Sequence, residues 1–104
     1  MYLPKKYTDF GSKYPDVFEH YRNLGTACRE AGPLDKKTQN LIKLGIAAGA
    51  NSRGGVMSHT RKALEAGATA DEINHTLLLT LTTLGFPNMI SAMSWANEVI
   101  SSQE

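Results

Sequence analysis

A chain of 104 residues has the length of one ordinary domain, because single cores use about 100 to 200 residues. Such a chain buries roughly 65% of the surface its unfolded form exposes, enough for one modest core and a shallow or intersubunit pocket but not a deep cleft between lobes. Eleven Lys and Arg against ten Asp and Glu leave a net charge of +1, without the basic surplus that drives binding to phosphate backbones, so nucleic acid is not an expected partner. With 41% apolar and 20% charged residues, the composition is that of a folded globular protein. The single cysteine, Cys28, excludes an intrachain disulfide, a CxxC pair and a cysteine-based zinc cluster. Met1 to Phe10 carry Lys5, Lys6 and Asp9 with no apolar run behind them, which does not read as a signal peptide. No 18-residue apolar stretch is present for a bilayer span, and the expected setting is the reducing cytoplasm.

Five helical segments follow in chain order, each opened by a capping residue or proline and closed at a glycine. The first starts at Tyr14-Pro15 and runs through Val17, Phe18, Tyr21, Leu24 and Cys28 to Gly32-Pro33. Its apolar residues recur at helical spacing, and Cys28 on that stripe reads as a small core residue. The second opens after Asp35, a helix-capping residue, and carries Leu41, Ile42, Leu44, Ile46 and Ala48 before Gly49. Apolar on most sides, it is the expected buried centre. The third follows Gly54-Gly55, holds Val56, His59, Thr60, Ala63 and Leu64, and ends at Gly67. In the fourth, Thr69 and Glu72 have capping-box spacing and the body Ile73 to Leu84 stops at Gly85. The fifth uses Pro87 in its first turn and continues through Met89, Ile90, Met93, Trp95, Ala96, Val99 and Ile100 before fraying at Ser101 to Glu104. No alternating strand pattern competes, so the class is all-α.

Leu78 and Leu79 lie outside the fourth helix's main apolar face of Ile73, Leu77, Thr80, Leu81 and Leu84. Either they wedge between the second and fifth helices of the same chain, or an oligomer covers them. The Met and aromatic residues Met89, Met93 and Trp95 fit either a pocket wall or, more commonly, core.

The segment Gly49 to Arg61 joins the apolar second helix to a histidine-bearing one. At helical spacing Ser52, Gly55, Val56, His59 and Ala63 share a face, so His59 is expected to look across a glycine-made gap toward Ser52. Histidine suits proton transfer near neutral pH, although a hydrogen-bonded structural histidine fits the same spacing. His20 and His75 have no ligand-like neighbours, and no metal or other cofactor is expected.

The ordered series Leu34-Asp35-Lys36-Lys37-Thr38, Gly49-Ala50-Asn51, His59 to Thr69, Asp71-Glu72-Ile73 and Leu84-Gly85-Phe86-Pro87 resembles the carboxymuconolactone decarboxylase family, whose superfamily includes the AhpD-like alkylhydroperoxidases. The resemblance spans about residues 15 to 100. It implies a fold built on a helical hairpin and homo-oligomers, commonly trimers or hexamers. In the peroxidase branch a CxxC pair precedes the histidine and a glutamate lies upstream; the corresponding positions are Ser52, Gly55 and Asn40, so both sulfurs and the glutamate are missing and a thiol peroxidase mechanism is not expected. The decarboxylase branch instead carries a polar stretch before its histidine, which Asn51, Gly54 and His59 match while Ser52, Arg53 and Gly55 depart from it. Decarboxylating a lactone acid calls for a cation to hold the carboxylate and a proton donor for the dienolate left behind. Arg53 or Arg61 is the candidate cation and His59 the candidate donor, with Ser52 and Asn51 as further substrate contacts; both arginines equally fit a solvated surface. The alternative is a non-catalytic oligomeric member that binds a small molecule.

Overall fold

The computed structural model describes residues 4–103, so residues 1–3 of the N-terminal segment and Glu104 of the frayed end lie outside the described residues. All of the described secondary structure is helical: α1 (Lys5–Lys13), α2 (Pro15–Glu30), α3 (Lys36–Gly49), α4 (Arg53–Glu65), α5 (Ala70–Leu78), α6 (Leu81–Leu84) and α7 (Phe86–Ser102). Six are of ordinary length and α6 is a single turn. The chain divides into two compact units, one up to Pro33 and one from Leu34 onward.

The first unit is the pair α1 and α2, joined at Tyr14. The composition of 5–13 hides α1 from a periodicity argument, because its only large apolar residues, Tyr7 and Phe10, are aromatics three apart. They pack against α2 by ring contacts: Tyr7 meets Phe18 edge-on at 5.0 Å between centroids and Phe10 meets the same ring at 6.2 Å. A Cβ on Gly11 would sit 2.9 Å from Phe18 Cδ2, so glycine lets the two helices approach. Neither helix has a buried residue. Val17, Tyr21 and Leu24 are all exposed, and so is Cys28. The expected core cysteine is therefore a surface thiol, since no side chain of this unit covers the stripe it belongs to.

The second unit holds the core. Asp35 caps α3 by accepting from the Thr38 amide at 2.8 Å, and that bond holds its carboxyl below the usual range. Leu44, Ala47 and Ala48 of α3 are buried with Val56 and Ala63 of α4, Ile73 and Leu77 of α5, and Ala92 and Ala96 of α7. Among these elements α3 packs most extensively on α4, giving the expected helical hairpin. The core is rich in alanine, which allows close helix approach. Only one face of α3 is buried, however: Ile42 and Ile46 are exposed, so α3 is not enclosed on most sides.

Two boundaries depart from the sequence expectation. Helix α4 starts at Arg53 with Ser52 as its cap, so Gly54 and Gly55 lie inside its first turn rather than before it. The segment expected as one helix to Leu84 breaks after Leu78, where the Thr80 hydroxyl donates to the Leu77 carbonyl at 2.6 Å and competes with helix continuation. Leu78 and Leu79, at 49% and 64% exposure, are not wedged between helices of this chain. Met89 is buried, and Met93 and Trp95 pack on the core, which favours core over pocket wall for that stripe.

Thr69 and Glu72 form a complete capping box: the Thr69 hydroxyl accepts from the Glu72 amide at 3.0 Å and the Glu72 carboxylate accepts from the Thr69 amide at 2.9 Å. Glu72 also takes Lys37 of α3 at 3.0 Å, tying the start of α5 to α3. Thr69→Ala is expected to lower stability by about 1 kcal/mol in urea unfolding followed by circular dichroism, whereas Thr69→Ser should stay within a few tenths of wild type; equal loss in both would show that the hydroxyl is not what caps α5.

Candidate functional site

The connection from α3 to α4 is three residues, and its geometry determines what faces what. Asn51 has φ of 53°, a left-handed conformation that asparagine tolerates better than most residues. Its amide donates to the Ala48 carbonyl at 3.0 Å and that of Ser52 to Ala47 at 3.0 Å, so the chain reverses within one turn. The Ser52 hydroxyl then accepts from the Gly55 amide at 3.0 Å and caps α4. The expected gap at Gly55 is closed rather than open. A Cβ there would lie 2.9 Å from Ser52 Oγ and 3.0 Å from the Ala47 Cβ, so glycine is where the two helices touch.

One turn further along α4, His59 is half-buried and its polar neighbour is Asn40 of α3, with Nδ1 3.5 Å from Oδ1. Asn40 is buried, and its Nδ2 donates to the Lys36 carbonyl at 3.0 Å. The imidazole pKa is lowered from 6.5 to about 4, first by burial and then by the positive charges of Lys62 and Lys43. His59 is thus uncharged at neutral pH. Nε2 has no hydrogen-bond partner among the described residues, and no buried side-chain nitrogen or oxygen there is left unpaired, so this atom reaches solvent. A ring that is half-buried, neutral and open at one nitrogen can exchange a proton.

Of the residues singled out from the sequence, His59 is at the centre of this cluster and Ser52 and Asn51 shape the turn that leads to it. Arg53 is elsewhere: it is exposed and pairs with Glu98 of α7 at 3.5 Å. Arg61 lies two residues from His59, a spacing that puts it on another side of α4. The cations whose charge reaches the imidazole are Lys43 and Lys62. A signal for them was present, since Lys43 follows Asn40 by three and Lys62 follows His59 by three, the spacing of helical neighbours. His20 and His75 are exposed.

Residues 15–98 match the model of the carboxymuconolactone decarboxylase family. The chain belongs to that family. It is 30% identical over 89 residues to an uncharacterized protein, MJ1511, of Methanocaldococcus jannaschii, covering 86% of this chain and 83% of that one. A second uncharacterized protein of the same organism, MJ0742, is 34% identical over 82 residues, 78% of this chain and 79% of the relative. Among solved structures, apo-lpg0406, a carboxymuconolactone decarboxylase family protein from Legionella pneumophila, superposes with a TM-score of 0.82 at 26% identity, covering 93% of this chain and 86% of that one. A crystal structure from Burkholderia xenovorans LB400 gives a TM-score of 0.78 at 25% identity, covering 97% and 82%.

Within the carboxymuconolactone decarboxylase family this chain stands apart from the thiol peroxidase pattern, because its single cysteine is exposed on α2 and the position that would carry a sulfur before His59 is a helix contact. The position of that pattern's upstream glutamate is Asn40, and the fold does set it against His59.

Two outcomes test this geometry. Glycine to alanine in a helix usually adds roughly 0.4 to 1 kcal/mol, and Gly54→Ala, with nothing within 4 Å of the added Cβ, should do so. Gly55→Ala should instead destabilise by about 1 to 3 kcal/mol, as overpacking does; stabilisation by both in chemical denaturation would mean that α3 and α4 do not touch there. The second concerns pH. Because the folded pKa of His59 lies below its unfolded value, the unfolded chain binds the proton first, and stability falls as pH drops from about 6.5 toward 4. His59→Gln should flatten the stability profile within that window, and a slope identical to wild type would contradict the shift.

Proposed function

We propose that the chain is a small-molecule lyase of the decarboxylase type in which His59 transfers a proton. The observation that carries this reading is that His59 is held uncharged beside two lysines while Nε2 stays accessible. A solvent-facing Nε2 leaves one ring nitrogen within reach of a bound molecule. Lys43 and Lys62 supply the positive field that a carboxylate substrate needs, in the role first expected of Arg53 or Arg61. Decarboxylation of a lactone acid breaks the bond from the ring carbon to the carboxylate, releases CO2, leaves the electron pair as a dienolate, and adds a proton back at carbon. An anion seated by the lysines offsets their charge, which raises the proton affinity of His59 in the complex and lets the ring take up a proton and deliver it.

The exposed residues Ile42, Ile46, Leu78, Leu79, Leu81, Phe86 and Ile90 support a further part of the reading: the working form is a homo-oligomer, as a trimer or hexamer. Burying large aliphatic and aromatic side chains yields about 1.5 to 3 kcal/mol each, and one chain of this size has no second core to cover them.

Purified protein is expected to release CO2 from carboxymuconolactone, with an accompanying ultraviolet change, and His59→Gln to lose that turnover by about 100-fold or more. Equal activity in the variant removes His59 from the reaction. Because the reaction consumes a proton that His59 delivers, kcat/KM in wild type is expected to fall as pH rises from about 4 through 6.5; a level profile across that window removes the protonation of His59 from the rate. Light scattering on a sizing column should give a multiple of 11.3 kDa, and Leu79→Glu should lower it; a wild-type monomer at micromolar concentration ends the oligomer proposal.

A further inference from the structure

We infer that Asn40 is a positioning residue for His59: it holds the imidazole as the tautomer protonated on Nδ1, so that Nε2 is the atom where a proton is taken up and released. The inference rests on the reading of His59 as the proton-transfer group, but it concerns a property of the protein that exists without substrate.

The orientation of the Asn40 amide settles which atom faces the ring. Asn40 is 8% exposed, so its polar ends need partners. One end lies 3.0 Å from the Lys36 carbonyl oxygen. A carbonyl oxygen only accepts, so that end is the NH2 group and the other end, facing His59, is the oxygen. Oδ1 then lies 3.5 Å from Nδ1. A neutral imidazole has one N–H and one lone pair. With the lone pair on Nδ1, two acceptors would oppose each other in a half-buried place; with the proton there, a donor meets an acceptor. The separation is at the long limit for a hydrogen bond, so Asn40 acts chiefly by disfavouring the wrong tautomer. That bias is needed, because a histidine side chain in water favours the proton on Nε2.

Lys43 and Lys62 act in the same direction. Their ammonium charges favour the neutral ring over the imidazolium, so the pair of Asn40 and lysines defines both the charge state and the tautomer. Asparagine is suited to this where a carboxylate is not: a charged acceptor on Nδ1 would also stabilise the second proton and draw the ring toward imidazolium.

The test is a long-range proton–nitrogen correlation spectrum of uniformly 15N-labelled protein at neutral pH, which assigns the protonated nitrogen of His59 directly. In wild type, Nδ1 is expected to show the protonated shift and Nε2 the unprotonated one. Asn40→Leu should convert His59 to the Nε2-protonated form or a mixture, with helicity by circular dichroism retained. Asn40→Asp should keep the proton on Nδ1 and raise the midpoint of the His59 titration by about one unit or more. Wild-type protein protonated on Nε2 overturns the inference, as does an Asn40→Asp midpoint equal to wild type, a measurement that stands even if Asn40→Leu fails to fold. These results separate from the reaction itself. An Nε2-protonated ring in an enzyme that still needs His59 for turnover defeats the role of Asn40 alone, and an Nδ1-protonated ring in a protein without turnover supports that role and defeats the decarboxylase reading.

Discussion

Everything at the candidate site depends on how closely α3 can approach α4. The contact is made where Gly55 meets Ala47 and Ser52, with no room for a Cβ at normal separation. A three-residue turn with Asn51 in the left-handed region makes that approach possible by reversing the chain at once. From there the two helices run side by side, and one helical turn beyond Gly55 on α4 is His59, opposite a residue two turns back from Ala47 on α3, Asn40. Had α4 begun three residues later, at Val56, as the glycine pair by itself suggests, Ser52 would not cap it. The small residues are therefore the cause and the polar contact is their consequence.

Charge placement then turns a contact into a chemical state. Half-burial already disfavours an imidazolium, and Lys43 and Lys62 disfavour it further. No carboxylate contributes to the His59 shift, which is the difference from the usual histidine that gains an acidic partner and titrates upward. The same arrangement costs stability in mild acid, since folding must keep the ring neutral while the unfolded chain need not. A protein that needed His59 only as packing could place a leucine there without that cost.

What could be read from the sequence follows the strength of local signals. Caps and periodicity gave α2, α3, α5 and α7, because Asp35, Thr69, Glu72, Pro15 and Pro87 act on their own backbone neighbours. Helix α1 escaped because it is held by rings against Phe18 rather than by an apolar stripe of its own. The break at Leu79 and Thr80 escaped because a threonine bonding back to a carbonyl looks in sequence like any other helical threonine. Cys28 was misplaced since an apolar stripe records only that a surface wants covering, not that its own chain covers it. At the site, His59 was identifiable by its chemistry, whereas Asn40 and Lys43 are 19 and 16 residues away and become neighbours only once the turn geometry is known.

The departure from the thiol pattern is likewise structural rather than a matter of missing atoms. Placing a sulfur at Gly55 requires a Cβ, and that Cβ would press on Ala47, a buried residue of α3 with a backbone-fixed position. Ser52 Oγ could move aside as a side chain, but it would give up the cap of α4 in doing so. A cysteine at Gly55 therefore requires Ala47 to give way by a few tenths of an ångström, and one at Ser52 replaces the hydroxyl that caps α4. The approach of α3 to α4 that crowds a Cβ at Gly55 is also the one that sets Asn40 3.5 Å from the His59 ring, so the same helix spacing shapes both the turn and the histidine's polar neighbour.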